Sequence, residues 1–305
     1  MQTEIHQSPT GSKIYLHSLL PLGEARAAVH ITHGMAEHSK RYARFALELT
    51  AAGFAVFAHD MRGHGQTIAD DAPQGVFAKS DGLIKVLEDQ NEIVNLIKKR
   101  LPNKPVICFG HSLGSIINLN FALKYPNQVN ALACWNSGIE TGLLPKASRI
   151  ILAIEGFFRN QNLPSLIAWK LSFEAWNSKF KPNRTKSDWL SRDENEVNLY
   201  VNDPYCGFEV SISMWRDVLD GVFYAGNKIN IQKLPKELPV HIVGGAEDPC
   251  TQNGSDMKKL AIKLQKSGLS DVTCMILEGT RHESLNEINR DQTTKQFIKW
   301  LEERF

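Results

Sequence analysis

No apolar run in the chain approaches the ~20 residues that a membrane-spanning helix requires. Cysteine is scarce: the 305 residues hold five, an odd number that cannot all pair. No Cys-x-x-Cys step or His/Cys cluster marks a zinc site. Cys108, Cys134 and Cys274 fall within expected buried strands, where a thiol packs as a small apolar group. An excess of either charge is also lacking. Lys and Arg number 35 against 33 Asp and Glu, and a balance of +2 gives no electrostatic case for nucleic acid. The opening Met1-Gln2-Thr3-Glu4-Ile5-His6-Gln7 has neither the basic nor the apolar region of a secretion signal, so cytoplasmic residence is expected. Repeats and low-complexity tracts are missing. A 42% hydrophobic and 22% charged composition is that of a globular chain able to bury a full core.

What the chain does contain is concentrated around one serine. Gly110-His111-Ser112-Leu113-Gly114 follows the apolar run Val106–Phe109, and a helical pattern starts at Ser115. A serine on so sharp a strand-to-helix turn has its hydroxyl in the open, and the flanking glycines let backbones pass closely. A hydroxyl is a weak nucleophile, so the turn matters only with a base and an oxyanion site nearby. The pattern resembles the nucleophile elbow of α/β-hydrolases, whose triad runs Ser, then acid, then His along the chain. Pro239–Gly245 reads as a buried strand leaving into Ala246-Glu247-Asp248-Pro249, the place for the acid. Asp248 suits the short reach from a strand-end turn, and Glu247 is its rival. Val272–Leu277 is the next strand, and its exit loop holds His282, the sole histidine after Asp248. Ser112, Asp248 and His282 are therefore expected as nucleophile, orienting acid and base. Main-chain N–H groups of Leu113 and Met35 are the expected oxyanion donors, the latter after the apolar strand Ala27–Thr32 and the turn His33-Gly34.

Short apolar strands alternate with amphipathic helices elsewhere, which predicts a mostly parallel sheet covered on both faces. Strands are expected at 14–20, 27–32, 55–58, 106–109, 131–135, 239–245 and 272–277. Helices are expected at 41–52, 83–101, 115–124, 255–266 and 292–303. The alternation breaks after Gly138 and resumes near Gly226. The expected division is therefore a first core segment at 1–138, a helical cap at 139–226 and a second core segment at 227–305. Trp169, Trp176, Trp189 and Trp215, four of the six tryptophans, lie in the cap. They either pack the cap onto the core or line an acyl tunnel over Ser112. Ile150–Phe158 is too short to span a bilayer but long enough to dip into an interface. Cap-mediated dimerisation explains it equally well, so the oligomeric state stays open. Cys250, two residues past Asp248, is expected to be an inert, partly buried thiol near the pocket rim.

The chain resembles the α/β-hydrolase superfamily, and within it the monoacylglycerol lipase and lysophospholipase branch grouped with the S33 serine aminopeptidases. The resemblance is carried by His33-Gly34-Met35-Ala36-Glu37-His38-Ser39-Lys40-Arg41-Tyr42, by His59-Asp60-Met61-Arg62-Gly63-His64-Gly65-Gln66-Thr67, and by the elbow, Gly245-Ala246-Glu247-Asp248 and His282-Glu283. It implies Ser112, Asp248 and His282 as triad, Met35 and Leu113 as oxyanion donors, and Asp60, Arg62, His64 and Gly65 as braces of the oxyanion turn. Glu37 and His38 are expected to cap the following helix. The activity it implies is hydrolysis of a small-molecule ester or lipid with an apolar acyl chain, with no metal or organic cofactor. A proline-type aminopeptidase would instead need a cap carboxylate for the substrate's amine, for which Glu155, Glu174, Glu194 and Glu196 are candidates. A thioesterase or acyltransferase would use the same triad, and a small-molecule receptor would keep the scaffold without turnover.

Overall fold

The computed structural model describes all residues from Met1 to Phe305. Eight strands form one sheet: β1 (Gln2–Gln7), β2 (Lys13–Leu19), β3 (Ala28–Thr32), β4 (Ala55–His59), β5 (Val106–His111), β6 (Ala131–Trp135), β7 (Val240–Gly245) and β8 (Val272–Leu277). Their order is β1-β2-β4-β3-β5-β6-β7-β8, with β2 antiparallel to both neighbours and every pair from β4 to β8 parallel. Helices between strands are α1 (Ala43–Ala51), α2 (Gly82–Arg100), α3 (Leu113–Lys124), α9 (Lys228–Ile231) and α10 (Ser255–Lys266), and α11 (Arg290–Glu302) follows β8. The segment after β6 supplies α4 (Leu143–Phe158), α5 (Leu166–Trp169), α6 (Ala175–Asn177), α7 (Glu194–Asn202) and α8 (Ile212–Ala225).

The two-residue period of a strand decides which side chain enters which layer. On β5, Val106 and Cys108 join the core under α2, α3 and α10, while Ile107 and Phe109 join the core under α1 and α11. Leu132 and Cys134 of β6 take the first face, and Ala131, Ala133 and Trp135 the second. The central strands are wholly buried because helices cover both faces, which is why they read as continuous apolar runs.

Three expectations need correcting. The first strand is β1, not Ile14–Leu20; none of its residues is buried, and it exists by pairing with β2. The elbow helix begins at Leu113, immediately after the serine, rather than at Ser115. Cys274 is exposed, because β8 is the sheet's far edge and no strand covers it.

The cap region packs in two parts. Side chains Met214, Val218, Val222 and Ala225 of α8 belong to the main core, seated on α3. Phe173, Trp189, Leu190 and Tyr200 form a separate small cluster above the sheet. On α4, Ile150, Ile154, Phe157 and Phe158 are exposed, the two phenylalanines at 82% and 78%. No helix is long and apolar enough to cross a membrane.

Candidate active site

Parallel strands deliver their exit loops to one end of the sheet, and that end carries the site. Residues after β3, β5, β7 and β8 meet there: Gly34 and Met35, Ser112, Asp248 and His282. Ser112 sits at φ 51° and ψ −118°, a conformation an L-residue adopts only under constraint. The constraint is visible at its flanks. A methyl group at Gly114 would overlap the Thr32 carbonyl oxygen, and one at Gly110 would overlap the Gly114 backbone. Only glycine at both positions lets β5 turn into α3 against β3.

The Ser112 Oγ lies 3.0 Å from His282 Nε2. His282 Nδ1 lies 3.0 and 3.1 Å from the two Asp248 carboxylate oxygens. Since the carboxylate only accepts, Nδ1 carries the ring proton and leaves the Nε2 lone pair to receive the serine hydroxyl. Asp248 is fully buried and accepts further bonds from Cys250 N–H at 2.9 Å, Thr251 Oγ1 at 3.0 Å and Asn136 Nδ2 at 3.4 Å. These donors hold the carboxylate on the imidazole. Its neighbour Glu247 is exposed.

Met35 N–H has no acceptor within the protein. Leu113 N–H opens α3 and has no intrahelical partner, while the helix N-terminus adds a favourable field for an anion. The turn carrying Met35 is pinned on both sides. His33 Nε2 accepts the Met61 N–H at 3.0 Å, so its Nδ1 is the protonated nitrogen and donates to Gly34 O at 2.7 Å. Burial lowers the His33 pKa and keeps the ring neutral, as this pattern requires. Glu37 Oε1 accepts the Gly34 N–H at 2.5 Å and the Tyr42 hydroxyl at 2.8 Å.

Glu37 does not cap a helix, contrary to expectation. It joins a buried ionic cluster in which Arg41 bonds Glu37 at 2.6 Å and clamps Glu283 through two bonds of 2.6 and 2.7 Å. Burial alone would raise the Glu37 carboxyl, but Arg41 and His111 outweigh it and hold it well below the ordinary carboxylate range. Arg41 also lowers the Glu283 carboxyl against the opposing effect of burial. His111, whose pKa is raised by Glu37 against the opposing effect of burial, reaches Glu37 at 3.4 Å and donates from Nε2 to His282 O at 3.0 Å. The Gly34–Met35 turn and the His282 loop are thus tied to one cluster. His38 likewise makes no cap bond and contacts Asp203 instead.

Of the expected braces, Asp60 accepts from Ser39 N–H at 2.9 Å and Gln66 N–H at 2.9 Å, just beyond the Gly34–Met35 turn. Arg62 lies elsewhere, bonded to Phe77 O and Asp71. Trp189 was readable only as a cap aromatic. Its ring lies 4.6 Å from that of His282, and the Leu190 carbonyl accepts Glu283 N–H at 2.7 Å.

Above Ser112 is a cavity of about 580 Å³. Trp176, Trp189 and Trp215 line it with Leu143, Ile151, Leu152, Ile167, Leu171 and Phe173 from the cap and Met35 and Ile116 from the core. Trp169 is not on its wall and stacks on Phe173 at 4.1 Å. Cys250 reaches the wall, its thiol pushed up by burial.

The sequence model of the serine aminopeptidase S33 family matches residues 23–289. A monoacylglycerol lipase of Mycolicibacterium smegmatis is 32% identical over 95% of this chain and 93% of its own. A monoglyceride lipase of Rattus norvegicus is 26% identical over 89% of this chain and 80% of its own. Among solved structures, a thermostable carboxyl esterase from Bacillus coagulans superposes with a TM-score of 0.87 at 24% identity, covering 99% of this chain and 97% of that one. The chain belongs to the serine aminopeptidase S33 family of α/β-hydrolases, in its monoacylglycerol lipase branch, and is a carboxylic ester hydrolase.

Proposed function

We propose that the protein hydrolyses monoacylglycerols and similar single-chain esters through an acyl-enzyme on Ser112. The observation that carries this reading is the unbroken line Asp248–His282–Ser112 opening into a cavity walled mainly by apolar side chains. Ser112 Oγ attacks the ester carbonyl carbon while His282 Nε2 takes the hydroxyl proton. The tetrahedral oxyanion receives the N–H groups of Met35 and Leu113, each such donor being worth about 10²–10³ in turnover. Asp248 stabilises the imidazolium. The C–O bond to the alcohol then breaks, and His282 returns its proton to the leaving oxygen. Water deprotonated by His282 attacks the acyl-serine, releases the fatty acid and restores Ser112.

The size of the cavity favours one acyl chain, since about 300–1,000 Å³ holds a single small ligand. The relatives' names point to the same substrate class. The aminopeptidase reading has less support, because none of the four candidate cap carboxylates is on the cavity wall. Glu155 is committed to Arg159 at 2.5 Å and Ser165 at 2.5 Å. The proposal extends to the membrane: Leu143 and Ile167 are exposed and also line the cavity, so the apolar outer face of α4 and α5 rests on a lipid surface and feeds chains inward.

Ser112→Ala is the test, with p-nitrophenyl esters of graded length, monoacylglycerols and a proline aryl-amide as substrates. Turnover falls by roughly 10⁶ and fluorophosphonate labelling disappears, while wild type prefers long acyl chains and leaves the amide intact. Undiminished ester turnover by the variant rejects the acyl-enzyme, and a preference for acetate rejects the lipid substrate.

A further inference from the structure

The oxyanion segment and the cap meet at a second cluster that takes no part in ester hydrolysis. His38, four residues beyond Gly34, places its Nε2 2.9 Å from an Asp203 oxygen. Asp203 follows α7, and Cys206 lies in the same cap loop. The ring nitrogen, the carboxylate oxygen and the Cys206 sulfur all lie within 4.8 Å of one another. His38 and Asp203 are 165 residues apart, so no spacing in the sequence announces the group.

The loop that presents these side chains is fixed by its own backbone. Cys206 N–H donates to Asp203 O at 3.0 Å, and Gly207 N–H donates to Ala36 O at 2.9 Å, joining the cap loop to the oxyanion segment. An open cleft lined by His38, Lys40, Asp203 and Tyr205 gives the imidazole and the carboxylate a path to solvent, with Cys206 packed behind them against the small cap cluster.

An imidazole, a carboxylate and a thiol make a borderline-soft donor set, suited to ions of the zinc type rather than to calcium or magnesium. In a tetrahedral site with bonds of about 2.0–2.3 Å, ligand atoms stand about 3.3–3.6 Å apart. The imidazole–carboxylate contact, at 2.9 Å, is a few tenths of an ångström shorter than that range, so the pair parts slightly to admit an ion, and the sulfur lies within 4.8 Å of both. We propose that His38, Asp203 and Cys206 form a binding site for a borderline divalent transition-metal ion, with the fourth coordination position left to water. Burial raises the Cys206 thiol, so it is neutral until the ion displaces its proton to solvent. Neutral imidazole, carboxylate and thiolate then carry two negative charges against the ion's two positive ones. The bound ion staples residues 203–206 of the cap to the segment leading from the oxyanion turn.

Asp248, Cys250 and His282 also bring ligand atoms within 4.8 Å, and the test must separate the two groups. Co²⁺ titration of the full chain does so, because a thiolate-to-cobalt charge-transfer band appears only with a cysteine ligand. We expect one Co²⁺ per chain, with a band that survives Cys250→Ser, vanishes in Cys206→Ser and is displaced by Zn²⁺. His38→Gln weakens binding by about tenfold or more. Zn²⁺ raises the Tm of wild type but not of Cys206→Ser, a near-isosteric change whose metal-free Tm matches wild type. No band in wild type, a band unchanged in Cys206→Ser, or a band lost only in Cys250→Ser overturns the assignment. If Cys206→Ser does not fold, binding unaltered in His38→Gln overturns it equally.

Discussion

Arg41 is a buried cation between two buried carboxylates, and its removal leaves Glu37 and Glu283 facing each other with only His111, beside Glu37, to offset them. Breaking a buried pair from one side costs about 3–5 kcal/mol, because the orphaned charge stays desolvated. Arg41→Met is expected to lose stability of that order in urea unfolding, and to lose turnover through the loosened Gly34 turn. A pH dependence accompanies it. Both carboxyls are held below their unfolded values, so their contribution is complete above the unfolded pKa and disappears as pH falls through the folded ones. The Arg41-dependent part of the Tm, taken as the difference between wild type and variant, should therefore be constant from neutrality to about pH 4.5 and shrink below it, and a variant whose Tm falls in parallel with wild type below that pH contradicts the role given to Arg41. This cluster was not legible in the sequence. Arg41 and Glu37 stand at helical spacing in a recognisable motif, but Glu283 is 242 residues away, and only the folded sheet brings it back. Asp248 was legible because a strand-end turn fixes where an acid must be. Its exposed neighbour Glu247 shows that one residue of register decides burial.

Elements were readable where burial is two-sided. β3, β5, β6 and β7 are buried throughout and mostly apolar because both faces are covered, and the helices between them carry the periodicity of a single covered face. β1 was invisible because Gln2–Gln7 buries nothing and is a strand only by virtue of its neighbour. α3 starts two residues before the pattern at Ser115 for a local reason: with Ser112 in a strained conformation, the helix begins at the next residue without a separate cap. On α4 the apolar residues exceed what packing uses, and this excess is the basis of the membrane proposal. Burying an aromatic side chain contributes about 1.5–3 kcal/mol. Phe157→Ser together with Phe158→Ser is thus expected to lower partition onto phosphatidylcholine vesicles by about 100-fold. Turnover of a water-soluble aryl ester should remain, since neither side chain lines the cavity. Vesicle partition equal to wild type in co-sedimentation would remove the membrane from the account.

At the scale of the whole molecule, the division into 1–138, 139–226 and 227–305 is a proposal about cooperativity as much as position. The break in strand–helix alternation was evident in the sequence, but the depth at which each cap helix is seated was not, because amphipathic helices over a core and over a cavity read alike. α8 sends Met214, Val218 and Val222 into the main core, and Asn120 Nδ2 reaches its Gly221 carbonyl at 3.0 Å. By contrast, α4 buries little besides Leu152 and Glu155 and leaves much of its surface open. Local opening free energy follows buried contact, so the two helices should not open together. In native-state hydrogen exchange, amides of α4 and α5 are expected to exchange at least about tenfold faster than those of α8, which should track α3. Under that outcome the mobile cap ends before Ile212, and α8 acts as the fixed floor of the cavity. Exchange of α4 and α8 at one common rate, well apart from α3, would instead make residues 139–226 a single cooperative unit that lifts as a body to admit substrate.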